Sequence, residues 1–383
     1  MGFLASMTAT TKKDHVRVLA GRDFSALLDV LKAKGYSVFG PTARDGAVVL
    51  DAVESVADLP RGLADEQSGG HYRLRDEGSA ALFAYTTSAQ SWKRFLHPPE
   101  VRLMRTERRG EGFHITSTSP ALDAPMAFLG VRPCELAAMD IQDKVFANGT
   151  FTDPIYKARR EGAVVIAANC THCAETCFCL SLGTGPKAKA GFDLAFTELT
   201  TPEHVFVVEA GSEKGHALLD ALPTRPDNGE AKRAEAALVK TQTRSLDSDH
   251  RALLADNREH PTWEAVAKRC LSCGNCTQVC PTCFCTTVED VTDLNGAGAE
   301  RVRKWDSCFS VDFSYIHGGP IRPGVASRYR QWISHKLTNW YDQFGTAGCT
   351  GCGRCITWCP VGIDITEETA TLRGAKETDH DGS

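Results

Sequence analysis

Short β-branched and aliphatic runs alternate with helically spaced stretches from residue 15 to about 220, the pattern of an α/β layer domain. Phe24, Leu27, Leu28 and Leu31 keep helical spacing behind Asp23, read as the cap, and Gly35 closes the run. Strands are predicted at YSVFG (36–40) and AVVL (47–50). The run MAFLGV (126–131) reads as a buried strand that delivers Arg132, Pro133, Cys134 and Glu135 to a helix start, with Pro133 suited to the first turn. The same logic applies to AVVIAANC (163–170) and HVFVVEAG (204–211), the latter followed by a helix within 212–222. Corners of this kind lie where ligands bind in α/β sheets.

The pattern changes after residue 225. Pro226, Asn228 and Gly229 break it, an Ala/Glu/Lys-rich helix follows, and a polar stretch leads to residue 262. The expected organisation is an α/β domain over 15–225, a helical linker over 226–262, an α-helical cysteine-rich domain over 263–366 and a loose polar tail over 367–383. Apolar stretches fall far short of the roughly 20 residues that cross a bilayer.

With 42% hydrophobic and 24% charged residues the chain is globular in composition. Its 43 basic residues against 48 acidic ones lack the excess that neutralising a phosphate backbone demands, so nucleic acid is not an expected partner. The opening MGFLASMTATTKK has neither the basic start nor the apolar core of a secretory signal. A reducing cytoplasm is therefore expected, where the 16 cysteines read as metal or redox ligands before disulfides.

Cys270, Cys273, Cys276 and Cys280, followed by Pro281, form C-x2-C-x2-C-x3-C-P. Cys349, Cys352, Cys355 and Cys359, followed by Pro360, repeat it. This spacing wraps three thiolates around one face of an iron-sulfur cubane, and glycines such as Gly274, Gly351 and Gly353 let the backbone approach the sulfurs. Structural zinc sites more often pair separated C-x2-C knuckles. In two-cluster ferredoxins the fourth cysteine of each run crosses to the other cluster. One 4Fe-4S cluster is thus expected on Cys270, Cys273, Cys276 and Cys359, and the other on Cys349, Cys352, Cys355 and Cys280. Each oxidised cubane with its thiolates adds about two negative charges, taking the formal −5 to about −9. The long interval between Cys280 and Cys349 makes this a split ferredoxin-like domain. Phe284, Trp305, Phe309, Trp332, Trp340 and Trp358 crowd the region, either to exclude water from the clusters or as ordinary core.

Eight cysteines are left over. Cys170, Cys173, Cys177 and Cys179, with His172, fall within eleven residues, and a parallel strand could bring Cys134 beside them. A third metal or redox site and simple buried packing both stand as readings. Cys283, Cys285 and Cys308 read as packing. The turn at Gly183, Gly185 and Pro186 reads as a plain loop in preference to an anion cradle. No G-x-G-x-x-G, Walker, H-E-x-x-H or G-x-S-x-G motif is present.

Three stretches carry a resemblance: GVRPCELAAMDIQDKVF (130–146), NCTHCAETCFCLSLGTGP (169–186), and LSCGNCTQVCPTCFC (271–285) with the second cysteine run. Over about 15–366 the chain resembles the beta subunits of cytoplasmic nickel-iron sulfhydrogenases and the related A subunits of anaerobic sulfite reductases. The resemblance implies a non-catalytic electron-transfer subunit of an oxidoreductase. It would pass single electrons between a partner that carries flavin and a 2Fe-2S cluster and handles NAD(P)H, and a catalytic partner. That catalytic partner would be the small subunit of a nickel-iron hydrogenase or, in the other branch, a siroheme subunit. A reading of a different kind makes the chain itself a thiol-based sulfur or disulfide reductase acting through Cys134, Cys170, Cys173, Cys177 and Cys179.

Overall fold

A computed structural model describes residues 16–117 and 124–374; the opening segment read for a leader and the last residues of the expected tail lie outside them. Strands β1 (Val16–Ala20), β2 (Ser37–Arg44) and β3 (Ala47–Ala52) come first. Two antiparallel ribbons follow, β4 (Leu63–Ser68) with β5 (His71–Asp76) and β6 (Glu100–Arg109) with β7 (Gly112–Ser117). Then come β8 (Met126–Val131), β9 (Val164–Ala168), β10 (Leu194–Leu199), β11 (Val205–Ala210) and β12 (Thr224–Pro226). Eight of these form one sheet in the order β12-β1-β11-β10-β9-β8-β2-β3. Its centre, β2, β8, β9 and β10, is parallel, and both flanks are antiparallel.

Every residue of β8 and β9 is buried because both faces of the sheet are covered. Ala127, Leu129, Val164 and Ile166 enter the core with Phe24, Leu28 and Phe206, while Phe128, Val131, Val165 and Ala167 enter a second core with Trp92 and Tyr156. Pro133 opens the helix Pro133–Phe146 as its spacing predicts. Asp23 is not the cap of the first helix. It belongs to a short 3-10 turn, Gly21–Asp23, and the α-helix starts at Ser25 with no side-chain cap, its entry set by Phe24 sinking into the core.

The cysteine-rich region is not all helical. Strands β13 (Thr286–Thr292) and β14 (Gly298–Trp305) lie between the two cysteine runs, and β14 pairs with β6 to give a four-stranded sheet, β13-β14-β6-β7. The sheet is largely exposed, with Val302 the one buried residue of β14 and none in β13, so pairing along the ladder defines these strands and no apolar alternation announces them. Helices Thr262–Ala267 and Val325–Ser334, with a π-helical turn at His335–Asn339, enclose a core of Trp263, Val266, Phe309, Tyr329, Trp332, Ile333 and Leu337.

Before the helix that starts at Thr262, the interval 226–262 is helical only at Glu230–Ala237 and His250–Asp256. Ala234 packs on the sheet beside Val18 and Val207, whereas Leu254 enters the cysteine-rich core, so the segment is fastened at both ends. The expected loose tail begins instead as a helix, Ile365–Gly374. Leu372 is wholly buried, and Glu368 pairs with Arg269. Among the described residues no helix is long and apolar enough to cross a membrane.

Candidate metal centre

The two cysteine runs fold alike. Cys270 leaves the helix Thr262–Ala267, and the Ser272 amide lies 3.4 Å from Cys270 Sγ; Gly351 N lies 3.4 Å from Cys349 Sγ in the second run. Ser272 has φ +51° and Gly351 φ +63°, Gly274 has φ +72° and Gly353 φ +76°, and each run then enters a one-turn helix, Asn275–Gln278 or Arg354–Thr357. Left-handed residues at these points turn successive amides toward the sulfurs, the nest geometry that stabilises an anion.

Cys270, Cys273, Cys276 and Cys359 line one cavity, with Phe309, Tyr329, Trp332 and Ile363 as apolar wall. Burial pushes the Cys276 thiol far above its ordinary range, and Cys270, Cys359 and Cys273 push it further. In the other group burial lifts Cys349 to about 12, with Cys352 and Cys280 adding to the rise. Cys355 is raised by burial and then by Cys349, Cys352 and Cys280. Cys355 also lines the first cavity, so the two groups share a wall. The four crossed sulfurs of each expected set are thus mutual neighbours. Tyr329 Oη and Trp332 Nε1 are buried without a hydrogen-bond partner beside the first cavity, which suits a site that takes up acceptor sulfurs.

A family model described as a 4Fe-4S dicluster domain matches residues 269–363. The sulfhydrogenase 2 subunit beta of Pyrococcus furiosus is 35% identical over 251 residues, covering 63% of this chain and 72% of that one. The chain belongs to the sulfhydrogenase beta-subunit family. It is an iron-sulfur electron-transfer subunit with 4Fe-4S chemistry in its C-terminal part. No solved structure matches it.

In this beta subunit the second cysteine run is clamped by the N-terminal domain. Phe178 N donates to Gly351 O at 2.9 Å, Thr184 Oγ1 to Thr350 O at 2.6 Å, and Thr176 and Thr357 share a hydroxyl contact at 2.8 Å. Arg354 forms a buried ion pair with Glu135, which explains what the Arg132–Glu135 corner contributes. Neither side chain could be assigned that role from spacing alone.

Sequence reasoning also missed Lys336. Its ammonium is buried in the π-helical turn and donates to Cys280 Sγ at 3.1 Å, Thr282 Oγ1 at 2.9 Å and Gly348 O at 2.9 Å. Burial alone would lower its pKa, but Cys280 and Cys283 hold it well above the ordinary value. The hydrogen bond from Cys283 and the neighbouring Lys336 hold the Cys280 thiol low. Cys283, Cys285 and Cys308 therefore stand beside buried cations: Lys93 donates to Cys283 O at 3.2 Å and lies over the Trp305 ring at 3.8 Å. Of the six expected aromatics, Phe309 and Trp332 line the first cavity. Trp358 stacks on Tyr72, and Phe284 packs on Trp340.

A second cavity is lined by Cys134, Cys170, His172, Cys173, Cys177 and Cys179 together with Gly185, Gln242, Gly351 and Cys352. The five N-terminal thiols are thus gathered in one place, and the Gly185 turn packs against them, since a Cβ there would stand 2.8 Å from Cys179 Sγ. Among the described residues no three His, Cys, Asp or Glu side chains close tightly enough to hold a lone metal ion.

Proposed function

We propose that this chain relays single electrons between a flavin- and 2Fe-2S-containing subunit that oxidises NAD(P)H and the small subunit of a nickel-iron hydrogenase. Cys270, Cys273, Cys276 and Cys359 would hold one 4Fe-4S cluster and Cys349, Cys352, Cys355 and Cys280 the other, within a dicluster domain spanning 263–366. The observation that carries the reading is the repeated loop: two runs of equal geometry, each with its fourth cysteine beside the other run's first three. Bound there, a cubane supplies a one-electron centre whose potential its surroundings set.

The chain's own residues shape those surroundings. Phe309, Tyr329 and Trp332 keep water from the first site. Lys336 places a positive charge against Cys280, favouring the more negative, reduced state of the second. Because most of the thiols are held protonated by burial, loading must release their protons, which ties assembly to pH. The cytoplasm is the compartment this chemistry suits. The N-terminal thiol cavity stands next in line as a third metal site. A thiol reductase would need a low-pKa, accessible cysteine; burial instead raises Cys177 well above the ordinary range and Cys179 to about 11.

The test is anaerobic isolation of the chain with its native partners and assay of hydrogen-dependent NADP+ reduction. Turnover supports the relay. An intact flavin-containing complex that fails to turn over hydrogen but reduces sulfite would overturn the hydrogenase assignment.

A further inference from the structure

Four thiols converge where the N-terminal sheet meets the second cysteine run. Cys134 sits in the first turn of the helix that leaves β8, and Cys170 lies just beyond β9. Cys177 and Cys179 flank Phe178; both line the cavity, while Phe178 points the other way into the cysteine-rich core. Two residues apart, their side chains share a face, as alternation along a backbone allows. Cys134, Cys177 and Cys179 are 6%, 8% and 8% exposed. Cys173 differs: its Sγ contacts Thr241 O at 3.8 Å, and the residue also lines a neighbouring surface pocket with Asp65, Glu66 and Glu175.

The cavity is prepared for negative charge. Arg132 is 3% exposed and adjoins Cys170, yet its hydrogen bonds run to the backbone carbonyls of Phe83, Tyr85, Thr86, Ala168 and Asn169. It makes no ion pair among the described residues, although a buried cation ordinarily has an anion against it. Gln242 Nε2 donates to Cys179 Sγ at 3.3 Å, and His172 Nε2 is buried beside the thiols with no partner. Cys134 gains from the positive end of its helix. Arg132, Gln242 and the helix end therefore favour thiolates here, against the carboxylates of Glu135 beside Cys134 and Asp65 near Cys170.

We infer that Cys134, Cys170, Cys177 and Cys179 hold a third 4Fe-4S cluster, with Arg132 as its buried counter-charge and Cys173 at its rim. Four thiol protons leave as four iron-sulfur bonds form, the core arriving preformed from a cluster donor or assembling from two ferric ions, two ferrous ions and four sulfides in solution, so that no further oxidant is needed. In use, one electron enters or leaves and no bond changes hands. Cys134 and Cys179 pack directly on Cys352, placed above in the second C-terminal set, so the site lengthens the relay toward the N-terminal face. That connection rests on the relay reading; the iron content of the site does not.

The full chain, reconstituted anaerobically with equal ferric and ferrous iron and sulfide, is analysed for iron, labile sulfide and zinc, and its clusters, once reduced, are counted by electron paramagnetic resonance. The expected content is about twelve irons per chain. Cys177→Ser and Cys134→Ser should each fall to about eight, with the C-terminal signals kept, and Cys173→Ser should stay at about twelve. A chain carrying the paired changes Cys276→Ala and Cys355→Ala should retain about four, which decides the matter even if Cys177→Ser does not fold. About eight irons in the unaltered chain and none in the paired variant, zinc in place of iron, or loss of the cluster in Cys173→Ser would overturn the inference. An unaltered chain with about four irons that the paired variant keeps would instead sink the C-terminal assignment and leave this one standing.

Discussion

The two cysteine loops share backbone turns and amide-to-sulfur contacts, yet one faces outward and the other is sealed. Cys273 is exposed and Leu271 is 63% exposed in the first run, whereas the corresponding Cys352 and Thr350 of the second are 9% and 2% exposed. The difference lies in what covers them. A Cβ on Gly274 would meet Ser307 Oγ at 3.0 Å, while one on Gly353 would stand 2.4 Å from Thr176 O, and one on Gly351 2.6 Å from Cys179 N. Local sequence shapes the loop; its place in the relay is decided by a segment almost two hundred residues away. An exposed loop is suited to meet a partner, and a sealed one to pass electrons inside the chain.

The strongest way to break this comparison is to remove one expected ligand from the first loop. Cys276→Ala should lose one cluster, about four irons, and stop partner-to-partner electron flow, because the relay has no parallel route. Unchanged iron content and flux in that variant would sink the ligand assignment. Gly353→Ala should be next in size: its Cβ strikes main chain at positive φ, so a loss of at least about 3 kcal/mol in chemical denaturation is expected, against about 1 kcal/mol for Gly274→Ala, whose nearest obstacle is a serine side chain. Equal losses would mean that the N-terminal clamp is not rigid.

Lys336→Met strips the buried cation from Cys280 and should destabilise the loaded chain by about 3–5 kcal/mol, as breaking a buried pair does. Potentiometric titration should also show one cluster's potential lowered and the other's unmoved.

A smaller and independent effect concerns His97, stacked between Phe146 and Trp305 where the four-stranded sheet meets the α/β domain. Burial, then Arg303 and Lys93, lower its pKa to about 3. The unfolded chain binds this proton more readily than the folded one between pH 6.5 and 3. The stability from neutral His97 is therefore complete above about pH 6.5 and lost on acidification toward 3, by up to about 4 kcal/mol. His97→Phe should flatten that slope in denaturation curves taken from pH 7 to pH 4; an unchanged slope assigns the acid sensitivity elsewhere.

Much of this was legible in the chain. The strands over 126–131 and 163–168 announce themselves because both faces are buried and nearly every residue is apolar. The repeated cysteine spacing reports its loop because thiol positions and left-handed turns are set within eleven residues. By contrast, β6, β7, β13 and β14 carry many charges on solvent-facing positions, so their alternation was hidden, and their pairing is decided at long range. The final helix was read as tail because Leu372 is its one large apolar residue after Ile365, and its other buried positions are threonines and Glu368. Lys336, Arg354 and Glu135 matter through contacts that no spacing encodes.

The pairing of β14 with β6 bears on how the protein is made. During synthesis the β6 edge, Glu100–Arg109, emerges about 190 residues before the strand that covers it. Until then the ribbon exposes an unpaired edge, guarded by Arg102, Arg105, Glu107 and Arg109, whose charges discourage strangers from adding a strand. The cysteine-rich half thus closes on a template already waiting, and a truncated N-terminal half released alone would carry that open edge as an invitation to aggregate.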